Sequence, residues 1–152
     1  MIDVKIKLLS DTAKLPTYGS ELAAGADLYA DLKPHSNLEE PLYIGPHETV
    51  KVGTGIACEL PEGYCALIFA RSGLATKLGL RPANCVGLCD EDYRGEYIVA
   101  LHNDTGKVQV IEHGDRIAQV VFVPYTQANF EAVDNLSDTN RGEGGFGSTG
   151  GK

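Results

Sequence analysis

Alternation of apolar and polar residues with a period of two most constrains how this chain can fold. Over residues 2–8 every second side chain is apolar, which is typical of a half-buried strand. Further strand candidates are 26–30, 49–52, 55–60, 64–70, 86–89, 96–101, 108–111, 116–123 and 129–132. Turn sequences such as Pro-Glu-Gly at 61–63 and His-Gly-Asp at 113–115 separate them. Many short strands at this spacing predict an all-β sandwich or barrel instead of alternating β-α-β units.

Only one stretch of the chain predicts a helix. Ser72 is suited to the N-cap of this short helix, and Gly79 is suited to its end. The segment 35–43 is polar and contains a proline, so we expect a surface loop there. The last dozen residues are rich in glycine and show no hydrophobic periodicity. We therefore predict one domain over 1–135, followed by a flexible C-terminal arm over 136–152.

Charge and cysteine content argue against several classes of function. The chain of 152 residues has a formal net charge of −8, whereas binding to a nucleic-acid backbone needs a basic face. Its four cysteines lie in or beside apolar runs, which predicts buried free thiols in a reducing compartment. There is no signal-peptide pattern at the N-terminus and no apolar run of about 18 residues. We expect a soluble, cytoplasmic protein that binds neither nucleic acid nor membrane.

The segment Arg71-Ser72-Gly73 supplies groups that suit an anion. It follows a strand candidate and opens the predicted helix, where backbone N–H groups are free, and Arg71 adds a guanidinium fork for phosphate oxygens. An ordinary capped helix with a surface arginine is the alternative. Two other polar residues each allow two interpretations. Asp27 is either a satisfied turn residue or an outer-sphere partner of a hydrated cation, and Gln119 is either a buried amide or a phosphate donor.

Three acids, one aromatic residue and one cation directly follow the strand candidate 86–89, and Asp90 is the first of the acids. One interpretation is a solvated acidic turn. The other is a hairpin of 86–89 with 96–101 that receives a planar ring, in which Asp90 holds a water for attack. Tyr93 would then pack against a sugar. The amide of Asn84 has both donors and an acceptor, which suits the imide edge of a pyrimidine.

Five segments together resemble the motifs of the trimeric deoxyuridine triphosphate nucleotidohydrolases, the dUTPases, in that family's order. They are AGADL at 24–28, ARSGLA at 70–75, NCVGLCDEDYRG at 84–95, GDRIAQ at 114–119 and RGEGGFGSTG at 141–150. The resemblance implies a distorted β-jelly-roll that forms a homotrimer, with active sites between subunits that are each closed by a C-terminal arm. It also implies hydrolysis of dUTP to dUMP and pyrophosphate with Mg²⁺, which limits uracil incorporation into DNA and supplies dUMP.

The resemblance further implies a role for each matching residue. Asp90 matches the water-activating aspartate, Tyr93 the ring that stacks on deoxyribose and excludes a ribose 2′-hydroxyl, and Asp27 an acid near the hydrated metal. The phosphate-contacting positions are Arg71, Ser72, Gly73 and Gln119, with Arg141 on the arm. The positions of the uracil hairpin are Asn84, Gly87, Leu88, Cys89 and Ile98. The remaining arm positions expected at the substrate are Gly147, Ser148 and Phe146, whose ring covers the uracil.

Two features depart from the family's usual pattern, and three other classes of protein compete with this interpretation. Cys89 stands where a branched aliphatic residue is more usual, and the loop 35–43 is longer than in compact members. A deoxycytidine triphosphate deaminase of similar fold and trimer would carry a catalytic glutamate in the hairpin region. A non-catalytic nucleotide-binding regulator, or a purely structural trimer, would have no use for intact Asp90, Tyr93 and Arg141.

Overall fold

Eleven strands and one short helix make up the part of the chain that the computed structural model describes, residues 1–32 and 40–145. In chain order they are β1 (Lys5–Leu8), β2 (Thr17–Tyr18), β3 (Ala26–Tyr29), β4 (Leu42–Ile44), β5 (Thr49–Glu59), β6 (Tyr64–Phe69), α1 (Ser72–Leu78), β7 (Leu80–Pro82), β8 (Val86–Cys89), β9 (Glu96–Asn103), β10 (Gln109–Ile111) and β11 (Arg116–Pro124). The predicted all-β class with one short helix is confirmed. Nothing helical in the described ranges has the length and apolar character needed to span a membrane.

Two antiparallel sheets enclose the core. The first has the strand order β1-β5-β9-β7, and the second has the order β2-β3-β11-β6-β8. Strands β4 and β10 form a separate antiparallel pair. Most neighbouring strands are distant in sequence, so the chain passes repeatedly from one sheet to the other, as it does in a jelly-roll. The distorted jelly-roll that the resemblance implies is therefore confirmed.

Apolar side chains from the inner faces of both sheets form the core. In β9 the side chains of Tyr97, Val99 and Leu101 are buried and those between them are more exposed, because successive residues of a strand point to opposite faces. Asn103 continues this buried row, and its amide nitrogen donates to the carbonyls of Ile44, Gly45 and Lys107 at 2.7–3.1 Å. The buried polar group is thus satisfied and ties β9 to the β4 pair.

Strand β5 runs without interruption through a stretch that the sequence predicts as two strands, with a break at 53–54. The pairing of β5 with β9 shifts between Gly53 and Ala57, so the glycines of this stretch mark a bulge instead of a turn. Gly55 has a φ of +67°, and a Cβ at this position would collide with the carboxylate of Asp31. Glycine is required there by both the backbone conformation and the close approach of a side chain.

Three short strands, β2, β4 and β7, escape the sequence prediction, whereas β10, which also has three residues, lies in the predicted strand 108–111. Two or three residues display too little alternation to predict a strand reliably. Strand β4 lies partly in the segment 35–43, so the prediction of a surface loop is wrong at 42–43, whereas 35–39 lie outside the described residues. The candidate strand at 129–132 is also wrong: within the described part of the chain these residues are exposed and pair with no strand. The last strand ends at Pro124.

Helix α1 begins one residue earlier than the sequence predicts. Arg71 is its N-cap, with an extended backbone at φ −81° and ψ 128°, and Ser72 is the first helical residue. The prediction of Ser72 as the N-cap is therefore wrong, and no side chain caps this end of the helix. Gly79 ends the helix as predicted, with a φ of 64° and its N–H donating to the carbonyl of Leu74.

All four cysteines are free thiols, as the sequence predicts, but not all are buried. Cys58 and Cys65 are buried, Cys89 is half-buried, and Cys85 is exposed. Cys85 has a φ of +63° in the turn between β7 and β8, and its N–H donates to the carbonyl of Pro82 at 3.1 Å. The prediction of buried thiols is wrong for Cys85, because a residue in such a turn projects its side chain into solvent.

Candidate active site

A small polar cavity of about 230 Å³ gathers most of the predicted phosphate-contacting residues. It is lined by Gly19, Ala23, Gly25, Asp27, Arg71, Ser72, Gly73, Arg116 and Gln119. Strands β3, β6 and β11, which are neighbours in the second sheet, position these residues together with the start of α1. Three segments that are far apart in the sequence, 19–27, 71–73 and 116–119, therefore meet at one end of this sheet.

The carboxylate of Asp27 binds two arginines in this cavity. Its Oδ1 accepts a hydrogen bond from Nε of Arg71 at 2.7 Å, and its Oδ2 accepts from NH1 of Arg116 at 3.2 Å. Arg71 also donates from NH1 to the backbone carbonyl of Arg116 at 3.2 Å. Because Asp27 is buried and both guanidinium groups are partly exposed, the carboxylate orients two cations toward the cavity.

Gln119 lies beside Asp27 because the two residues are direct partners in the β3–β11 ladder. Its amide nitrogen donates to the carbonyl of Ala70 at 3.1 Å, just before the Arg71 segment. A Cβ at Gly25 would lie 3.2 Å from the side-chain oxygen of Gln119, so the small residue there leaves room for this amide. Gln119 thus joins the first, second and fourth motifs.

The opening turn of α1 leaves open space at the cavity. A Cβ built at Gly73 would meet nothing within 4 Å, and the hydroxyl of Ser72 makes no hydrogen bond with the described residues. Both features leave the backbone N–H groups and the hydroxyl of this turn accessible to an anion. The roles of Ser72 and Gly73 as phosphate contacts stay predictions.

Asp90 lies in a different cavity, of about 510 Å³. This second cavity is lined by Cys65, Leu88, Asp90, Glu91, Asp92, Tyr125 and Gln127. Glu91 accepts hydrogen bonds from the N–H of Gly63 at 2.7 Å and from the hydroxyl of Tyr125 at 3.0 Å. The Asp90 carboxylate is exposed and makes no hydrogen bond or ion pair with the described part of the chain. Of the three acids that line this cavity, Glu91 is engaged with protein groups, whereas Asp90 and Asp92 are available to a ligand or a water.

The predicted hairpin of 86–89 with 96–101 is wrong as a strand pair. Strand β8 pairs with β6 at the edge of the second sheet, whereas β9 pairs with β5 and β7 in the first. The six residues between β8 and β9 are too many to impose the register of a tight turn, and β6 offers β8 a complete ladder. Within residues 1–32 and 40–145, strand β8 has a strand partner on one side only, so its other edge carries backbone groups that no described strand pairs.

The residues of β8 divide between the two faces of that strand. Leu88 is 63% exposed and lines the Asp90 cavity, whereas Cys89 packs against the core. Burial raises the pKa of the Cys89 thiol to about 11. A Cβ at Gly87 would lie 3.2 Å from Cβ of Ile68 and 3.6 Å from the amide nitrogen of Asn84, so Asn84 and Gly87 are close neighbours.

Tyr93 follows Asp90 in a turn that fixes its ring. Its N–H donates to the Asp90 carbonyl at 3.2 Å, and its hydroxyl donates to the carbonyl of Glu96 at 3.0 Å. The ring stacks on that of Tyr97, with centroids 6.3 Å apart and planes inclined by 25°. Tyr93 is nevertheless 43% exposed, so part of the ring stays accessible.

The remaining predicted residues lie elsewhere or outside the described part. The side chain of Ile98 points away from that of Tyr97 and lines a third cavity with Leu32, Pro41 and Leu42. Arg141 is exposed, and its Nε donates to the carbonyl of Gly144 at 2.8 Å. Phe146, Gly147 and Ser148 lie outside the described residues.

Two side chains of this region carry no predicted role: that of Arg116, the second partner of Asp27, and that of Tyr97, the partner of Tyr93. The resemblance implies a role at the uracil hairpin only for the backbone of Tyr97. The only sequence signal for Arg116 is a cation at the start of an otherwise apolar strand. Tyr97 has the ordinary pattern of a buried strand residue. Its contact with Tyr93 depends on the path of the turn between them, which alternation does not report.

Comparison of the sequence with known proteins identifies the family. A family model described as dUTPase matches residues 11–150. A deoxyuridine 5'-triphosphate nucleotidohydrolase of Desulfitobacterium hafniense is 48% identical over 155 residues, which cover 99% of this chain and 99% of the relative. The corresponding protein of Hydrogenobaculum sp. is 46% identical over 145 residues, which cover 95% and 96%.

Comparison with solved structures agrees with this result. The dUTPase of Staphylococcus bacteriophage 80alpha, solved with dUPNHPP, superposes with a TM-score of 0.84 at 28% identity, covering 97% of this chain and 98% of the phage chain. The family match covers all five motif segments, including those that form the two cavities. The chain therefore belongs to the dUTPase family of dUTP nucleotidohydrolases.

Proposed function

We propose that the chain hydrolyses dUTP to dUMP and pyrophosphate by attack of a water, activated by Asp90, on the α-phosphorus. The observation that carries this proposal is the polar cavity in which Asp27 orients Arg71 and Arg116 beside Ser72 and Gly73. Oriented guanidinium groups suit a triphosphate because they donate to its oxygens in a fixed geometry. Asp90, which is exposed and has no hydrogen-bond or ion-pair partner among the described residues, has the carboxylate needed to accept a proton from water. Such an activity removes dUTP, which limits uracil incorporation into DNA, and supplies dUMP for dTMP synthesis.

The proposed site is completed between copies of the chain in a homotrimer. Within one chain the phosphate residues line one cavity and Asp90 lines another, and no residue is common to both. Arg141 is bonded only to a carbonyl of its own turn in the described part of the chain. This separation supports a site assembled from Arg71 of one copy and Asp90 of another, with the arm of 136–152 closing it.

Complementation between inactive variants tests this arrangement. Arg71→Ala and Asp90→Asn, co-expressed with different tags and purified as mixed oligomers, are expected to regain part of the wild-type rate. Arg71→Ala mixed with Ser72→Ala is the matched control, because both changes affect the same motif and leave no intact combination. Mixed oligomers of the first pair that stay inactive would contradict a site shared between copies.

The open edge of β8 is proposed to bind the uracil. Its backbone N–H and carbonyl groups on the side away from β6 can pair with the imide edge of the base, as an added strand would. Gly87 and Asn84 lie close together at this edge, where a larger side chain would crowd Ile68. A pocket formed around them excludes the thymine methyl by its shape, and mismatched buried polar groups disfavour cytosine.

Mg²⁺ fits this site as an ion held mainly by the substrate. In the described ranges there is no group of three or more His, Cys, Asp or Glu side chains placed to hold a metal. Both oxygens of Asp27 already accept from arginines, so this carboxylate would reach the ion through a water. Mg²⁺ retains several waters and binds readily to phosphates, which matches such a site. When bound, it would neutralise part of the triphosphate charge.

The competing deaminase function is disfavoured by the hydrogen bonds of two glutamates near β8 and β9. Glu91 accepts from the N–H of Gly63 at 2.7 Å, and Glu96 accepts from the N–H of Gly55 at 2.8 Å. Carboxylates that satisfy backbone groups are poorly placed to act as a deaminating base. A pyrophosphate-release assay with dUTP, dTTP, dCTP and UTP, with and without Mg²⁺, tests the proposal. We expect release from dUTP alone, whereas ammonia release from dCTP would favour the deaminase.

A further inference from the structure

Tyr93 has a buried aromatic partner behind it. Its ring is stacked on Tyr97, with a centroid separation of 6.3 Å and an interplanar angle of 25°. This separation and near-parallel arrangement lie in the range of favourable offset stacking. Tyr93 is 43% exposed and Tyr97 is 1% exposed, so one ring belongs to the surface and the other to the core. The surface ring therefore rests on a fixed support.

The support is held from both sheets. Tyr97 lies on β9, and its hydroxyl is beside the thiols of Cys58 on β5 and Cys89 on β8. In the described part of the chain this buried hydroxyl has no hydrogen-bond partner. Burial, with a smaller contribution from the two thiols, raises the pKa of Tyr97 and keeps the hydroxyl neutral.

An unsatisfied hydroxyl in the core costs free energy, so the polar end of Tyr97 is not what stabilises this position. Phenylalanine would supply the same ring without that cost. The part of Tyr97 that supports the exposed residue is its buried ring, which stacks on Tyr93.

Two further contacts leave Tyr93 little freedom to turn. Its hydroxyl donates to the Glu96 carbonyl at 3.0 Å. A Cβ at Gly95 would lie 2.6 Å from Cζ of Tyr93, so the ring occupies the space that a side chain at position 95 would need. Three contacts thus restrict rotation of the Tyr93 ring. Its hydroxyl end lies close to Gly95, the hydroxyl donates to the Glu96 carbonyl, and one face of the ring stacks on Tyr97.

We propose that Tyr97 is a positioning residue for sugar selectivity, which holds the Tyr93 ring where it accepts deoxyribose and rejects a ribose 2′-hydroxyl. The inference rests on the proposed role of Tyr93 in dUTP hydrolysis. Steric exclusion of a single hydroxyl requires a ring of fixed position, because a Tyr93 ring that could rotate would make room for the larger sugar. Tyr97 supplies that rigidity from the core.

The experiment compares the ratio of kcat/KM for dUTP to kcat/KM for UTP among variants of position 97. Tyr97→Leu removes the ring and is expected to lower this ratio about three- to tenfold, the range that corresponds to one stacked pair. Tyr97→Phe keeps the ring and is expected to keep the ratio within about twofold. Tyr97→Met is made in parallel, because its flexible side chain fills a core space without a ring and gives a second chance of a folded variant.

The matched control is Val99→Ala, which shortens a neighbouring buried side chain of the same strand without touching Tyr93. It is expected to lower the melting temperature but to leave the selectivity ratio unchanged. A fall in the ratio as large as that of Tyr97→Leu would mean that general loosening of the core is responsible, and would overturn the proposal.

A double variant tests whether Tyr97 acts through Tyr93. In a Tyr93→Ala background, Tyr97→Leu is expected to lower the selectivity ratio no further, because the Tyr93 ring that Tyr97 positions is already absent. An additional fall would overturn the proposal, and so would a wild-type ratio in folded Tyr97→Leu or Tyr97→Met. If wild-type protein hydrolyses dUTP without discriminating against UTP, the role of Tyr93 itself fails. If it does not hydrolyse dUTP, the proposed function fails.

Discussion

Arg71 and Asp27 form an ion pair of 2.7 Å that joins the start of α1 to the middle of the second sheet. The carboxylate is buried and its second oxygen binds Arg116, so one acid fixes two cations at the proposed phosphate cavity. Without the carboxylate the two guanidinium groups would repel each other, and Arg71 would lose the contact that orients it.

Replacement of Asp27 by asparagine tests this relationship. The change keeps the shape and removes the charge, so we expect the kcat/KM for dUTP to fall about 10- to 100-fold because both arginines lose orientation. The free energy of unfolding should fall by about 1–3 kcal/mol, measured by urea denaturation. The control is Asp104→Asn, which breaks a 2.6 Å pair with Arg81 elsewhere on the fold. An Asp27→Asn enzyme as active as this control would contradict the proposed orienting role.

Asp90→Asn should abolish turnover and preserve binding. Loss of a general base lowers kcat by about 10²- to 10⁴-fold, while the affinity for a non-hydrolysable dUTP analogue is expected to stay near that of the wild type. Asp92→Asn is the comparison, since Asp92 lines the same cavity and is the second acid of the Asp-x-Asp sequence. Calorimetry gives the affinity, and pyrophosphate release gives the rate. Equal rates for the wild type and Asp90→Asn would require another base.

Deletion of residues 141–152 should remove activity without unfolding the domain. In the described part of the arm, Arg141 contacts only its own turn, so its loss removes no core contact. We expect the rate to collapse because a lid that supplies a cation and excludes water is missing. The melting temperature should not change. Arg141→Ala in the complete chain separates loss of the cation from loss of the arm, and an undiminished rate in the truncated protein would show that closure is not needed.

The thiols should differ in their reaction with iodoacetamide. Cys85 is exposed, whereas burial raises the pKa of Cys89 to about 11, so at pH 8 only about one Cys89 in a thousand is a thiolate. Labelling of Cys89 should therefore be slow at pH 8 and accelerate about tenfold per pH unit up to pH 10. Mass spectrometry of the peptides measures both rates, with Cys85→Ser as the control. Equal labelling of Cys85 and Cys89 at pH 8 would contradict the burial of Cys89.

Long alternating stretches are predictable from the sequence, and the partners of short ones are not. Strand β9 follows its predicted pattern because alternation over eight residues leaves one face to bury, and β11 is found where its apolar run predicts it. Strand β8 is found where expected, but its pairing with β6 carries no local signal. The same limit applies to the Asp27–Arg116 contact, which depends on the β3–β11 register.

The sequence motifs predict which residues belong to the site, but they predict less well how those residues are arranged in space. Arg71 and Gln119, which the resemblance implies as phosphate contacts, and Asp27, which it implies as an acid near the hydrated metal, do meet in one cavity. That Asp90 lines a separate cavity in the same chain follows from the assignment of β8 to the sheet edge. That Tyr97 lies behind Tyr93 follows from the path of one turn. Neither arrangement can be predicted from the spacing of residues in the sequence.

The one-sided pairing of β8 has a further consequence for how the protein behaves in solution. An unpaired strand edge can pair with a strand of another molecule and so extend the sheet between molecules, and the sequence of β8 contains no charged residue to oppose this. Residues 90–92, three acids in succession, directly follow β8, and we expect their negative charges to oppose such pairing by repulsion. Variants that neutralise them should form oligomers or fibres at lower protein concentration than the wild type, which light scattering would detect.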